Sequence, residues 1–146
     1  MPGKVLAVCI SIKKGTVKDQ VDEIRLVPDH GVLGDAHAGP GDRQVSLLAE
    51  EKIEIMRQKG LDLAPGAFGE NIVVSGIDLE NVRPGAFLRI GPEVNLEITR
   101  IGKECHTRCA IYYKTGDCIM PTYGIFMKVI FGGTVRKDDI VTLVER

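Results

Sequence analysis

Apolar and polar side chains alternate without a break along Val94-Asn-Leu-Glu-Ile-Thr-Arg-Ile101, the period of a strand with one face buried and the other in water. Shorter segments rich in β-branched residues recur between Gly, Pro and Asp: Val5 to Ile12, Val21 to Val27, Glu70 to Val74, Ala86 to Ile90 and Ile140 to Val144. Each reads as a strand bounded by turns. A helical period holds from about Ser46 to Lys59. There Leu48, Ile53, Ile55 and Met56 make a broad apolar arc, Ser46 is placed to cap the first free amides, and Gly60 to stop the helix. A second helix is expected from Pro121 to Gly132-Gly133, although Ile125-Phe-Met-Lys-Val-Ile-Phe131 fits a buried strand equally well on period alone.

A weak internal similarity links Val82-Arg-Pro-Gly-Ala-Phe-Leu-Arg-Ile90 with Val135-Arg-Lys-Asp-Asp-Ile-Val-Thr-Leu143, each a turn feeding a strand. Many short strands with few helices favour a mainly β fold over a parallel α/β sheet. The expectation is a closed or partly closed β-barrel with two or three short helices. The 146 residues are enough for one hydrophobic core, and no long linker divides them, so residues 1–146 are read as a single domain.

Charge narrows the partners. Nineteen basic and twenty acidic residues leave a net charge of -1, so neither nucleic acid nor an anionic membrane surface is an expected partner. No apolar run approaches the ~20 residues that cross a bilayer, and the start lacks a secretory cleavage site. A soluble, cytoplasmic protein is expected. In that compartment four cysteines read as reduced thiols, metal ligands or reactive groups rather than a disulfide framework.

The densest chemistry is Cys105-His106-Thr107-Arg108-Cys109, with Cys118 nearby, just beyond the alternating strand. A thiolate is both a nucleophile and a soft-metal ligand. Lys103, His106 and Arg108 would lower the Cys105 pKa if their charges lie close, while Glu104 acts the other way. Cys9, inside an apolar strand, reads as a packing residue. For Cys109 and Cys118, packing and chemistry both stand open. Cys105, His106, Cys109 and Cys118 could supply four zinc ligands, but a lone C-x3-C lacks paired knuckles, and zinc is not expected.

Two further clusters are polar. Gly31-Val-Leu-Gly-Asp-Ala-His-Ala-Gly39 and the following Asp42-Arg43-Gln44-Val45-Ser46 combine glycines that let backbone amides approach a ligand with an arginine able to grip a phosphate. Gly34, Asp35, His37, Arg43 and Gln44 are the candidates for an anionic-cofactor pocket. The plainer reading makes Gly34-Asp35 a turn and Arg43 a surface ion-pair partner. In Gly66-Ala-Phe-Gly-Glu-Asn-Ile72, Glu70 and Asn71 either orient a ligand or make turn and barrel-closing hydrogen bonds.

Taken in order, Gly34-Asp35-x-His37-x-Gly39, Arg43-Gln44-Val45-Ser46-Leu47-Leu48, Phe68-Gly69-Glu70-Asn71-Ile72, Val82-x-Pro84-Gly85, and Leu96-Glu97-Ile98-Thr99 with Cys105 six residues on resemble the MOSC family, the C-terminal domain of molybdenum-cofactor sulfurases. Within it the chain is similar to short, stand-alone bacterial members. The resemblance implies a β-barrel in which Cys105 carries sulfur or ligates molybdenum, with Cys109, His106 and Lys103 assisting. It also implies that Arg43 and the amides near Gly34 hold the phosphate of the molybdenum cofactor, molybdopterin. A cysteine desulfurase is the implied sulfur donor, and a molybdoenzyme or cofactor-synthesis protein the acceptor. The alternative is a module that binds or ferries the cofactor without transferring sulfur, and a further one is a zinc-stabilised interaction domain. Pyridoxal phosphate is attached to the family as a whole, but no lysine here stands out for it. Lys103-Glu104-Cys105 departs from the reductase branch, where an arginine and a proline come before the cysteine.

Overall fold

The alternating segment forms a strand over the predicted span. In the computed structural model, which describes residues 2–12, 18–36, 38–41, 43–60, 64–79, 82–101 and 124–144, Val94, Leu96 and Ile98 are buried while Asn95, Glu97 and Thr99 stay partly exposed. Along the described chain the elements are β1 (Gly3–Ile10), β2 (Asp19–Val21), β3 (Glu23–Val27), β4 (Gly31–Val32), β5 (Val45–Ala49), α1 (Glu50–Arg57), β6 (Ile72–Ser75), β7 (Phe87–Ile90), β8 (Val94–Ile101), β9 (Ile125–Phe131), β10 (Gly133–Arg136) and β11 (Ile140–Val144).

Strands β1, β11, β7, β8, β9, β5 and β6 pair in that order, and β6 returns to β1. The result is the expected closed barrel, mainly β, whose closure removes the free edges that would recruit other chains. The closing contact pairs Gly3 with Val141 and Lys4 with Ile140. Beside it the Val5 amide donates to the Asp139 carbonyl at 2.9 Å and the Asp138 amide to the Val5 carbonyl at 2.7 Å. Within the ring β5 and β6 run parallel, and α1 lies in the crossover that a parallel pair requires. β10, β3 and β4 form a small second sheet.

Inward-facing Val5, Val45, Leu47, Leu88, Leu96, Ile98 and Met127 fill the barrel. A second cluster lies on its outer wall, where Ile53 and Met56 of α1 cover Leu48, Val73 and Phe126 together with Phe68. Ile53 and Met56 are three residues apart and share one helix face. Glu50 and Glu51 in the first turn and Arg57 in the last suit the helix dipole.

Two expectations need correction. The first helix does not start at Ser46: Val45–Ala49 is a strand, and α1 begins at Glu50 after Ala49, with no side-chain cap. The run Ile125–Phe131 is strand β9, not a second helix. Both segments are apolar on two faces because the outer cluster covers the wall they share, so they carry no clean period of two. Among the described residues α1 is the one α-helix. No helix there is long and apolar enough to cross a membrane.

Candidate functional site

Strand directions set which loops meet. β1 ends, and β5 and β6 begin, at the same end of the barrel, so Ser11, the Gly31–Arg43 connection and the Gly66–Asn71 loop converge there. Lys18 and Asp35 meet inside this cluster at 2.7 Å with neither side chain exposed to solvent. The Ser11 amide donates to Asp35 Oδ1 at 3.0 Å, and Lys18 Nζ also donates to Ser11 Oγ at 3.3 Å. The Ala36 amide donates to the Ser11 carbonyl at 2.7 Å. Together these bonds fasten the glycine-rich connection to the end of β1. Gly34 takes φ 85, and nothing lies within 4 Å of where its Cβ would be.

Lys18 also ties this network to the third cluster, because its amide donates to the Gly66 carbonyl at 2.9 Å. Gly66 has φ +93, and a Cβ there would collide with the Lys18 carbonyl, so the close approach needs glycine. Glu70 is fully buried and accepts from the amides of Gly66 at 2.9 Å and Phe68 at 3.0 Å. Burial pushes the Glu70 carboxyl above the usual carboxylate range, and the amides of Gly66, Glu70 and Phe68 pull it partly back. Asn71 bridges three strands. Its Oδ1 accepts from the Ser46 amide at 3.1 Å and from Ser46 Oγ at 3.2 Å, and its Nδ2 donates to the Cys9 carbonyl at 3.1 Å. Glu70 and Asn71 thus make turn and barrel hydrogen bonds, one of the two readings their sequence leaves open.

Gln44 is buried, and its Oε1 accepts from the Val129 amide at 3.0 Å, fixing β5 beside β9. Arg43, by contrast, is exposed, and its guanidinium lies 5.5 Å from the centre of the Phe126 ring. Phe126 also pairs in register with Arg100 of β8. Arg43, exposed, thus lies over a ring of β9, and the backbone of that ring's residue pairs with Arg100, also exposed, of β8; β8 leads into and β9 out of residues 102–123. Arg100 was not singled out in the sequence because it occupies an ordinary polar position of an alternating strand. Lys18 and Ser11 were missed because a lysine in a Lys-Lys-Gly-Thr-Val-Lys run reads as solvated charge.

Lys103, Cys105, His106, Cys109 and Cys118, like His37 and Asp42, lie outside the described residues. Cys9 is the described cysteine. Burial pushes its thiol up to about 12, with the Glu70 carboxylate adding to the rise, so at neutral pH it is a protonated packing group. Among the described residues no three His, Cys, Asp or Glu side chains are grouped to hold a metal. The exposed guanidinium of Arg43 fits an anionic cofactor; the oxygens of Asp35, Gln44, Glu70 and Asn71 described above accept from the protein's own donors.

The closed, mainly β barrel with its single described helix sets the class of fold. The MOSC domain model matches residues 34–142, and the chain belongs to the MOSC domain family, which is associated with molybdenum-cofactor sulfuration. The YuaD protein from Bacillus subtilis shares the fold with a TM-score of 0.80 at 22% identity, over 100% of this chain and 97% of that one. YiiM from Escherichia coli superposes with a TM-score of 0.64 at 26% identity, over 98% of this chain and 70% of that one. A protein of Gibberella moniliformis named "Reductase" is 29% identical over 99% of this chain, which spans 30% of that protein's length.

Proposed function

We propose that this chain handles sulfur in molybdenum-cofactor metabolism: Cys105 accepts sulfane sulfur as a persulfide from a cysteine desulfurase and passes it to the cofactor or to a molybdoenzyme. The Cys105 thiolate attacks the terminal sulfur of the donor's persulfide. The donor's S–S bond breaks as the new one forms, and the donor cysteine leaves as a thiolate, so no oxidant or reductant is consumed in that step. Lys103 and His106 favour the thiolate by their charge, and Cys109 is the resolving thiol. Its thiolate attacks Cys105 Sγ, the terminal sulfur leaves as hydrosulfide to the acceptor, and the resulting Cys105–Cys109 disulfide is reduced by an external thiol.

The observation that supports this reading is the position of Arg43, exposed and laid over Phe126 of β9, the strand that follows the cysteine connection. An exposed guanidinium over an aromatic ring suits a planar anionic ligand, because arginine binds phosphate through two parallel hydrogen bonds. When bound, molybdopterin supplies the metal centre that receives sulfur. Arg43 holds its phosphate, and the amides near Gly34 approach it without the obstruction of a Cβ.

The test is to incubate the protein with a cysteine desulfurase and cysteine, then map persulfide by peptide mass spectrometry in wild type, Cys105→Ser and Cys109→Ser. Sulfur on Cys105, lost only in its own variant, is the expected result. The same exposed arginine also favours a second reading, a module that holds or ferries molybdopterin without transferring sulfur. In that case no cysteine takes up sulfur, Cys105→Ser still binds pterin, and Arg43→Ala binds it roughly tenfold more weakly or worse. The name of the Gibberella protein describes a much longer chain, and reductase activity ranks below both readings.

A further inference from the structure

Apolar side chains are exposed where an outer wall of the barrel has no cover. α1 shields the wall made by β5, β6 and part of β9, but among the described residues no helix covers the outer faces of β11, β7 and β8. Two adjoining hollows of about 490 and 480 Å³ run along these strands and share Arg89 and Val144. Phe131 is 62% exposed, Ile140 55% and Val144 41%, and all three line the hollows. Large apolar residues exposed together mark a surface that meets a partner. Asn95 Oδ1, in the same hollow as Phe131, is buried with no hydrogen-bond partner among the described residues.

The charges on this face indicate which partner. Arg89 projects from the middle of β7, and Glu93 lies in the turn between β7 and β8. Nearby Lys128 and Glu97 are paired at 3.7 Å, but among the described residues neither Arg89 nor Glu93 takes part in an ion pair. One face therefore carries both an unused cation and an unused anion around an apolar centre. A two-fold interface sets a patch against itself, so each group on it meets its counterpart's neighbour. We infer that this face joins two copies of the chain, with Arg89 of each copy against Glu93 of the other and Phe131 and Val144 packed between them. Arginine and aromatic side chains are the types enriched at such centres. The inference is independent of the sulfur-carrier reading.

Sedimentation velocity of the full chain, from micromolar to sub-millimolar concentration, measures the dimer directly. Wild type is expected to dimerise, and Arg89→Glu to weaken the dimer at least roughly tenfold, because like charges then face each other across the axis. Arg89→Glu/Glu93→Arg restores opposite charges in both copies and should return the affinity to within about threefold of wild type. Phe131→Ser, on another strand, should weaken the dimer without touching the charges, and a melting curve checks that each variant is folded. A wild type that stays monomeric throughout overturns the inference and leaves the face to a different protein. So does a dimer that Arg89→Glu and Phe131→Ser leave unchanged, or a charge swap that restores nothing.

Discussion

Lys18 and Asp35 show how much one pair of side chains can commit. Taking two charges out of water costs several kcal/mol each, and their attraction repays that cost only when geometry and extra hydrogen bonds are good. Here the separation is 2.7 Å and the Ser11 amide adds a third partner. Lys18→Met leaves a carboxylate buried without its cation and should destabilise the protein by about 3–5 kcal/mol. Lys18→Met/Asp35→Leu should recover about 2 kcal/mol of that loss, since no isolated charge remains. Urea midpoints of the two variants measure the difference. Glu70 makes a separate prediction with pH. Its carboxyl titrates higher folded than unfolded, so between the two values the native state holds more protons, and stability falls as pH rises through that window. Glu70→Gln should abolish this slope. It should also cost about 1–3 kcal/mol, because its amide turns a donor toward the amide of Gly66 or Phe68. Urea titrations across acid pH read both effects.

At the scale of elements, α1 is held by what it covers. It has two buried residues, Ile53 and Met56, and no side-chain cap, so its place depends on packing against Leu48, Val73 and Phe126. Ile53→Ala should cost about 2–4 kcal/mol, measured by chemical denaturation, and raise amide exchange in Glu50–Arg57 before the barrel strands. The same packing explains which elements were legible in the sequence. β8 and β11 were readable to their bounds: β8 alternates cleanly, and the β-branched run of β11 is bounded by Asp139. β5 was absorbed into a predicted helix and β9 resembled one, because burial on both faces erases the period by which a strand is recognised. The turn-rich loops were visible as motifs. That Asp35 would be engaged by Lys18 could not be seen, since the pairing depends on a contact between separate loops.

For the whole molecule, the barrel was legible from the number and spacing of strands, and the family from five short motifs in order: the described parts of four are turns or strand starts, while Leu96–Thr99 lies within β8 and Cys105 outside the described residues. The closing contact between β1 and β11 has one more consequence. Because these two strands run antiparallel with Gly3 beside Val141, polypeptide preceding β1 and polypeptide following β11 both attach at the same end of the barrel. Ile101, from which the cysteine connection departs, is at that end too. A neighbouring domain fused at either terminus would thus be tethered at the end from which residue 101 leads on, where a short flexible linker gives an effective concentration on the order of millimolar. In a longer protein built around such a barrel, the covalent chain itself would hold the two domains together at that end, with no tight docking surface required.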